Sequence, residues 1–84
     1  MNLLNFSISH DQKAGPKNKL QRLAFEKGYY TASTFATAVS QSGAASYGLA
    51  HANWNGRAGK TQYNTLLAIA QFLGASSVEQ VFDP

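Results

Sequence analysis

The amino-acid sequence predicts an all-α fold, a compact bundle of about five helices preceded by a short N-terminal strand or arm. From residue 17 onward, apolar side chains recur at the three- and four-residue spacing of amphipathic helices. Glycines separate these segments, as is common where helices end. The chain has 84 residues, of which 44% are hydrophobic, enough for one domain with its own core. We therefore divide it into an arm, residues 1–16, and a helical domain, residues 17–84.

The arm has a period of two rather than a helical period. Leu4, Phe6 and Ile8 alternate with polar residues, which is typical of a short β-strand, and a polar segment ending at Gly15-Pro16 follows. A lone strand needs a partner strand, which a second copy of the chain could supply. The alternatives are an arm that lies over the core and one that is loosely ordered.

The first two predicted helices have well-marked ends. Pro16 suits the first turn of a helix and Gly28 suits its end, while Thr31 can cap the second helix through its hydroxyl. Residues 40–43 are predicted to form the turn that follows. The expected buried stripes are Leu20, Leu23 and Ala24 in the first helix and Phe35, Ala36 and Val39 in the second.

The later segments are predicted to form three further helices. A third helix is expected within residues 44–53, and residues 55–59 form a loop by composition. Thr61 is the predicted cap of the fourth helix, which ends at Gly74. Ser76 and Glu79 have the spacing of a capping box before a short last helix. The candidates for burial are Tyr47, Leu49, Ala50 and Trp54; then Tyr63, Leu66, Leu67, Ile69, Ala70 and Leu73; and last Val78, Val81 and Phe82.

Composition excludes several classes of protein. Without cysteine there is no disulfide scaffold, thiol nucleophile or cysteine-ligated metal. The first residues lack the basic region of a signal peptide, and no apolar run approaches the roughly 18 residues of a membrane span, so we expect a soluble cytoplasmic protein. The few acidic residues and histidines are scattered, and we expect neither an enzyme nor a metal or cofactor site.

The distribution of charge favours a nucleic-acid partner. The net charge is +3, and no aspartate or glutamate occurs between Glu26 and Glu79, whereas Lys27, Arg57 and Lys60 lie inside that stretch. A surface that approaches phosphates must avoid carboxylates, and the neutral hydroxyls and amides found here can contact phosphates and base edges. The alternative is that a short chain is simply poor in acidic residues.

Two parts of the chain have a recognisable order of helical segments and motifs: residues 19–39, and residues 64–82 with Thr-Leu-Leu, Ala-x-x-Leu-Gly and Ser-x-x-x-x-x-Phe. They resemble the first two helices and the fourth and fifth helices, respectively, of the lambda-repressor-like (Cro/repressor, XRE-type) helix-turn-helix domains. Asn53-Trp54-Asn55-Gly56 resembles the family's Trp-Glu-x-Gly, with asparagine in place of glutamate and tighter spacing. The chain is also about three residues longer before this segment than is usual in the family.

The resemblance covers about residues 17–82 and implies sequence-specific binding of double-stranded DNA by a small, dimeric transcriptional regulator. Leu4, Phe6 and Ile8 are the candidate dimer contacts. The alternative function is a protein-interaction module, either antitoxin-like or an accessory subunit, built on the same bundle.

The resemblance also implies which residues meet DNA. It places the recognition helix after residues 41–43. Tyr47 has a core position as its alternative, and Asn53 and Asn55 have stabilisation of the loop as theirs. The base-contacting candidates are Ala44, Ala45, Ser46, Tyr47, His51 and Asn53. The phosphate-contacting candidates are Lys17, Lys19, Asn55, Arg57, Lys60, Thr61 and Gln62.

Overall fold

A computed structural model describes residues 15–57 and 59–82, and these residues form four α-helices, one short 3-10 turn and no β-strand. The elements are α1 (Lys19–Glu26), α2 (Ala32–Ser42), α3 (Tyr47–Trp54), α4 (Tyr63–Phe72) and the 3-10 turn (Val78–Gln80). The all-α prediction is confirmed for the described residues, with four α-helices instead of about five. The predicted strand at Leu4, Phe6 and Ile8 lies outside them.

Helix α1 begins later than Pro16 suggested. Its N-cap is Asn18, whose Oδ1 accepts a hydrogen bond of 2.8 Å from the backbone N–H of Gln21. This bond satisfies one of the N–H groups that a helix start leaves without a partner, so the helix starts at the asparagine rather than at the proline.

Helices α1 and α4 end in the same way. Gly28 and Gly74 follow the two helices with φ of 94° and 82°, a left-handed conformation that glycine adopts without strain. In each case the next N–H reaches back to a helix carbonyl, that of Ala24 or Ala70, at 2.9 Å. Both ends are Schellman motifs, and both fall where the sequence predicted a glycine stop.

Helix α2 is longer than expected. Thr31 caps it as predicted, with Oγ1 accepting from the N–H of Thr34 at 3.2 Å. Residues 40–42, predicted to be a turn, are instead its last three residues. The Ser42 hydroxyl donates to the carbonyl of Val39 at 2.7 Å, so a residue type common in turns is satisfied within the helix. The turn starts at Gly43.

Helix α3 buries only part of its predicted set. Ala50 is fully buried and Trp54 is 7% exposed, but Tyr47 and Leu49 are 44% and 39% exposed. Ala50, Asn53 and Trp54 are three and four residues apart and therefore share one face of the helix. Tyr47 and Leu49 fall outside that stripe, so the prediction that they are buried is wrong.

Helix α4 packs through its second half. Ile69, Ala70 and Leu73 are buried, Leu66 and Leu67 are half-buried, and Tyr63, which was predicted to lie inward, is 59% exposed. Helix α4 therefore packs against the core mainly with its C-terminal half.

The start of α4 differs from the prediction that Thr61 caps it. Gln62 occupies the N-cap position without a side-chain cap, and the hydroxyl of Thr61 accepts a hydrogen bond from Asn53 instead.

The last segment lacks the predicted capping box. There Gln80, not Glu79, reaches Ser76, with Oε1 2.8 Å from the backbone nitrogen. The apolar residues of that segment are buried or half-buried as predicted: Val78, Val81 and Phe82.

Aromatic rings form much of the core around α3. The ring of Phe35 lies 5.4 Å from that of Trp54 and 6.2 Å from that of Phe72. Phe25 stacks against Trp54 at 6.1 Å. Rings from α1 and α2 therefore contact the last residue of α3 and hold that end of the helix in place, and the α4 ring packs behind Phe35. Within the described chain, no helix has the length and apolar character needed to cross a membrane.

Candidate functional site

Helices α2 and α3 form one packed unit joined by a four-residue turn, residues 43–46. At the start of the turn, the Ser42 hydroxyl accepts from the N–H of Ala44 at 3.2 Å. At its end, Ser46 is the N-cap of α3, and its Oγ accepts from the N–H of Leu49 at 3.2 Å. Two serine hydroxyls therefore fix both ends of the turn.

The N-terminal end of α3 is its exposed end. Ser46 and Tyr47 are exposed, and the Tyr47 ring lies 5.8 Å from the ring of His51, which is half-buried. Ala44 and Ala45 pack against the core with part of their surface still accessible. Five of the six predicted base-contacting residues thus keep accessible surface, most of it at Ser46 and Tyr47.

Asn53 does not belong with them. It is 2% exposed, and its Nδ2 donates to the carbonyl of Leu49 at 2.8 Å and to Thr61 Oγ1 at 3.3 Å. A side chain enclosed in this way cannot reach a base edge without leaving the core. Of the two roles left open for Asn53, base contact and stabilisation of the loop, its burial on the inward stripe of α3 leaves the second.

The loop after α3 carries two exposed cations. Arg57 and Lys60 are exposed, and neither side chain has a hydrogen bond or ion pair with any residue that the structure describes. The loop begins against α3, where the N–H of Arg57 donates to the carbonyl of Ala52 at 2.9 Å. Both charges are available to an anionic partner.

At the far end of this loop, two further phosphate-contacting candidates, Thr61 and Gln62, have different surroundings. Gln62 is exposed, whereas Thr61 is half-buried with its hydroxyl bonded to Asn53. Gln62 is therefore the more accessible of the two.

Lys17 and Asn55 line one small cleft between the start of α1 and the end of α3, about 180 Å³ in volume. The carbonyl of Trp54 accepts from Gln21 Nε2 at 2.8 Å and from Asn18 Nδ2 at 3.3 Å. These two bonds join the helices, so a cation at the start of α1 lies near the loop that follows α3.

Lys19 has a different environment from the other cations. Its Nζ donates to the backbone carbonyl of Glu79 at 3.1 Å. This bond ties α1 to the 3-10 turn, and the structure does not bring Lys19 into the cleft with Lys17.

Sequence reasoning missed the bridging roles of Asn18 and Gln21. A signal for them exists, because they stand three residues apart, the spacing of a capping box. The Gln21 Oε1 does accept from a backbone N–H just ahead of the helix, that of Lys17, at 3.0 Å. The bonds from both side chains to Trp54 depend on tertiary packing and leave no local pattern.

Among the residues that the structure describes, no three histidine, aspartate or glutamate side chains come together as metal ligands would. No protein-family model, no curated protein and no solved structure matches the chain.

Proposed function

We propose that the chain binds double-stranded DNA in a sequence-specific manner, as a lambda-repressor-like helix-turn-helix protein acting as a dimeric transcriptional regulator. The observation that carries this proposal is the α2–turn–α3 unit, whose second helix exposes its N-terminal end. A helix-turn-helix joins two helices by a turn of three or four residues, often with glycine. Its second helix enters the major groove and contacts base edges with its N-terminal residues.

Ser46 and Tyr47 are the main base-contacting residues in this proposal. One lone pair of the Ser46 hydroxyl caps α3, which leaves its proton and second lone pair for a base edge. The Tyr47 phenol can donate or accept, and its ring is accessible. Ala44 and Ala45 have the methyl groups that suit a thymine methyl, and His51 lies beside Tyr47.

The charges around this unit support the same partner. The sequence has no carboxylate between Glu26 and Glu79, so α2, α3 and α4 bring none to the surface. Arg57 and Lys60 supply exposed positive charge immediately after α3. Lys17 and Asn55 extend the set of phosphate-contacting groups along the cleft. With so few cations, sequence-independent affinity should be modest, and tight binding requires base contacts and two half-sites.

The dimer is part of the proposal because half-sites spaced by about 34 Å are read by two-fold related pairs of such domains. Leu4, Phe6 and Ile8 are the residues assigned to the contact. Removing residues 1–9 and measuring the mass in solution tests that assignment. We expect a dimer for the full chain and a monomer for the shortened one; a dimer in both, or a monomer in both, would contradict it.

Selection of bound duplexes from a random pool tests the proposed function as a whole. We expect one enriched sequence whose affinity falls as salt rises, with a logarithmic slope of about −0.9 for each neutralised phosphate. Failure to retain any duplex at low salt, with helical circular dichroism intact, would contradict DNA binding.

A protein-interaction module is the second candidate function, and the exposure of Leu49 and Tyr63 favours it. Their exposed fractions are 39% and 59%, and large apolar side chains at a surface are common where proteins associate. Such an interaction would depend weakly on salt, since it replaces few counterions. The salt dependence of binding therefore separates the two functions.

A further inference from the structure

We infer that Asn53 is a positioning residue, which through Thr61 fixes the described parts of the basic loop, residues 55–57 and 59–60, relative to α3. The consequence for DNA affinity rests on the proposed function. The coupling between Asn53 and the loop can be measured without DNA.

The hydrogen bonds of Asn53 span the loop. At the near end, the backbone carbonyl of Asn53 accepts from the N–H of Gly56 at 3.0 Å. At the far end, its side-chain Nδ2 donates to Thr61 Oγ1 at 3.3 Å. One residue of α3 therefore holds both ends of the segment that carries Arg57 and Lys60.

Stability alone does not explain an asparagine at this place. Its Oδ1 is buried and accepts no hydrogen bond from any described residue. A buried acceptor without a partner destabilises the folded state, and a leucine of similar size would avoid that loss. Leucine cannot donate to Thr61, however. The amide of Asn53 thus supplies a hydrogen bond between α3 and the loop, and its unpaired Oδ1 lowers the stability of the folded state.

The bond between Asn53 and Thr61 matters because it joins two elements that both present proposed DNA-contacting residues. On one side, α3 presents Ser46 and Tyr47; on the other, the loop presents Arg57 and Lys60. If the two groups contact one duplex, their separation must match the spacing between base edges and phosphates. A side chain that sets this separation affects binding without touching DNA.

The test compares Asn53→Leu with the wild-type chain, with Asn53→Ala as a second variant should the leucine variant fail to fold. Amide hydrogen exchange reports how firmly residues 55–61 are held. We expect Asn53→Leu to keep or raise the thermal midpoint while these amides exchange about tenfold faster. Val81→Ala is the control, because it removes buried surface at the C-terminal turn and should lower the midpoint without changing loop exchange.

A double-mutant cycle then tests whether Asn53 acts through the loop charges. In the wild-type background, Asn53→Leu should weaken binding to the selected duplex by about tenfold. In an Arg57→Ala and Lys60→Ala background it should change affinity by less than about twofold, because the groups that it positions are gone.

Three outcomes distinguish this inference from the proposed function. Unchanged exchange of residues 55–61 in the Asn53 variants would overturn the inference, and so would additive effects in the cycle. If the wild-type chain binds no duplex, the proposed function fails, and the exchange measurement still decides the role of Asn53.

Discussion

The two ends of α3 differ in what surrounds them. The C-terminal end, with Asn53 and Trp54, is enclosed by side chains of α1, α2 and the loop, whereas the N-terminal end, with Ser46 and Tyr47, faces outward. At the first end, packing accounts for Trp54 and the hydrogen bond to Thr61 accounts for Asn53. At the second end the fold requires only the cap that Ser46 provides. Residues at the outward end are therefore free to serve recognition, and substitutions at the two ends should have separable effects on stability and binding.

The largest expected effect is on the buried end. Trp54→Ala removes the ring that packs on Phe35 and Phe25, at 5.4 and 6.1 Å. Because a cavity replaces a large aromatic side chain, the free energy of unfolding should fall by about 3–5 kcal/mol. Urea denaturation followed by circular dichroism measures it. A loss below about 1 kcal/mol would mean that this end of α3 is not anchored as described.

At the outward end, two substitutions of Ser46, to aspartate and to alanine, should rank in opposite order for stability and for DNA affinity. Ser46→Asp keeps a good N-cap, and its charge is favourable at a helix start, so stability should stay within about 0.5 kcal/mol of wild type. A carboxylate facing DNA should nevertheless weaken duplex binding by about a hundredfold.

Ser46→Ala is the matched variant. It loses the cap and about 1 kcal/mol of stability, yet it should bind the duplex better than Ser46→Asp. Thermal unfolding ranks the two variants by stability, and fluorescence anisotropy ranks them by duplex affinity. If Ser46→Asp were both the more stable and the tighter-binding variant, Ser46 would lie outside the DNA contact.

Tyr47→Ala should lower DNA affinity with little change in stability, and by less than Ser46→Asp does. With the side chain 44% exposed, its loss should change stability by no more than about 0.5 kcal/mol. Loss of a base contact should weaken binding to the selected duplex by about tenfold, with little effect on a scrambled one. The control is Tyr63→Ala, an exposed tyrosine on α4. Equal effects of the two substitutions would contradict a specific role for Tyr47.

The smallest effect concerns salt dependence. Arg57→Ala with Lys60→Ala should weaken binding to all duplexes alike and make the salt slope shallower by about 1.8, since two phosphate contacts are lost. Anisotropy titrations at several salt concentrations measure the slope. A slope equal to that of the wild-type chain would place the phosphate-contacting surface elsewhere.

Burial could be predicted from the sequence at the C-terminal end of α3 better than at its N-terminal end. Trp54 and Ala50, two of the four candidates for burial, are buried because they lie four residues apart on the inward face of the helix. Tyr47 and Leu49 were misassigned because this short helix has apolar residues on all its faces, and periodicity then selects no face. The predicted boundaries of the two helices were also imprecise, since residues 40–42 extend α2 and α3 runs from Tyr47 to Trp54.

The bond between Asn53 and Thr61 could not be predicted as a pair. Asn53 was expected at a base edge or in stabilising the loop and Thr61 as a helix cap, and the two side chains bond to each other across eight residues. A contact formed by tertiary packing leaves no spacing pattern in the sequence. By contrast, the caps at Thr31 and the glycine stops at 28 and 74 are local, and these predictions are confirmed.

The most direct test of the central claim is the affinity of the full chain for its selected duplex relative to a scrambled duplex of equal length. If the outward end of α3 contacts base edges, the selected duplex should bind at least about a thousandfold more tightly, and affinity for both should fall as salt rises. Equal affinity for the two duplexes, or no binding at low salt by the folded chain, would contradict the account.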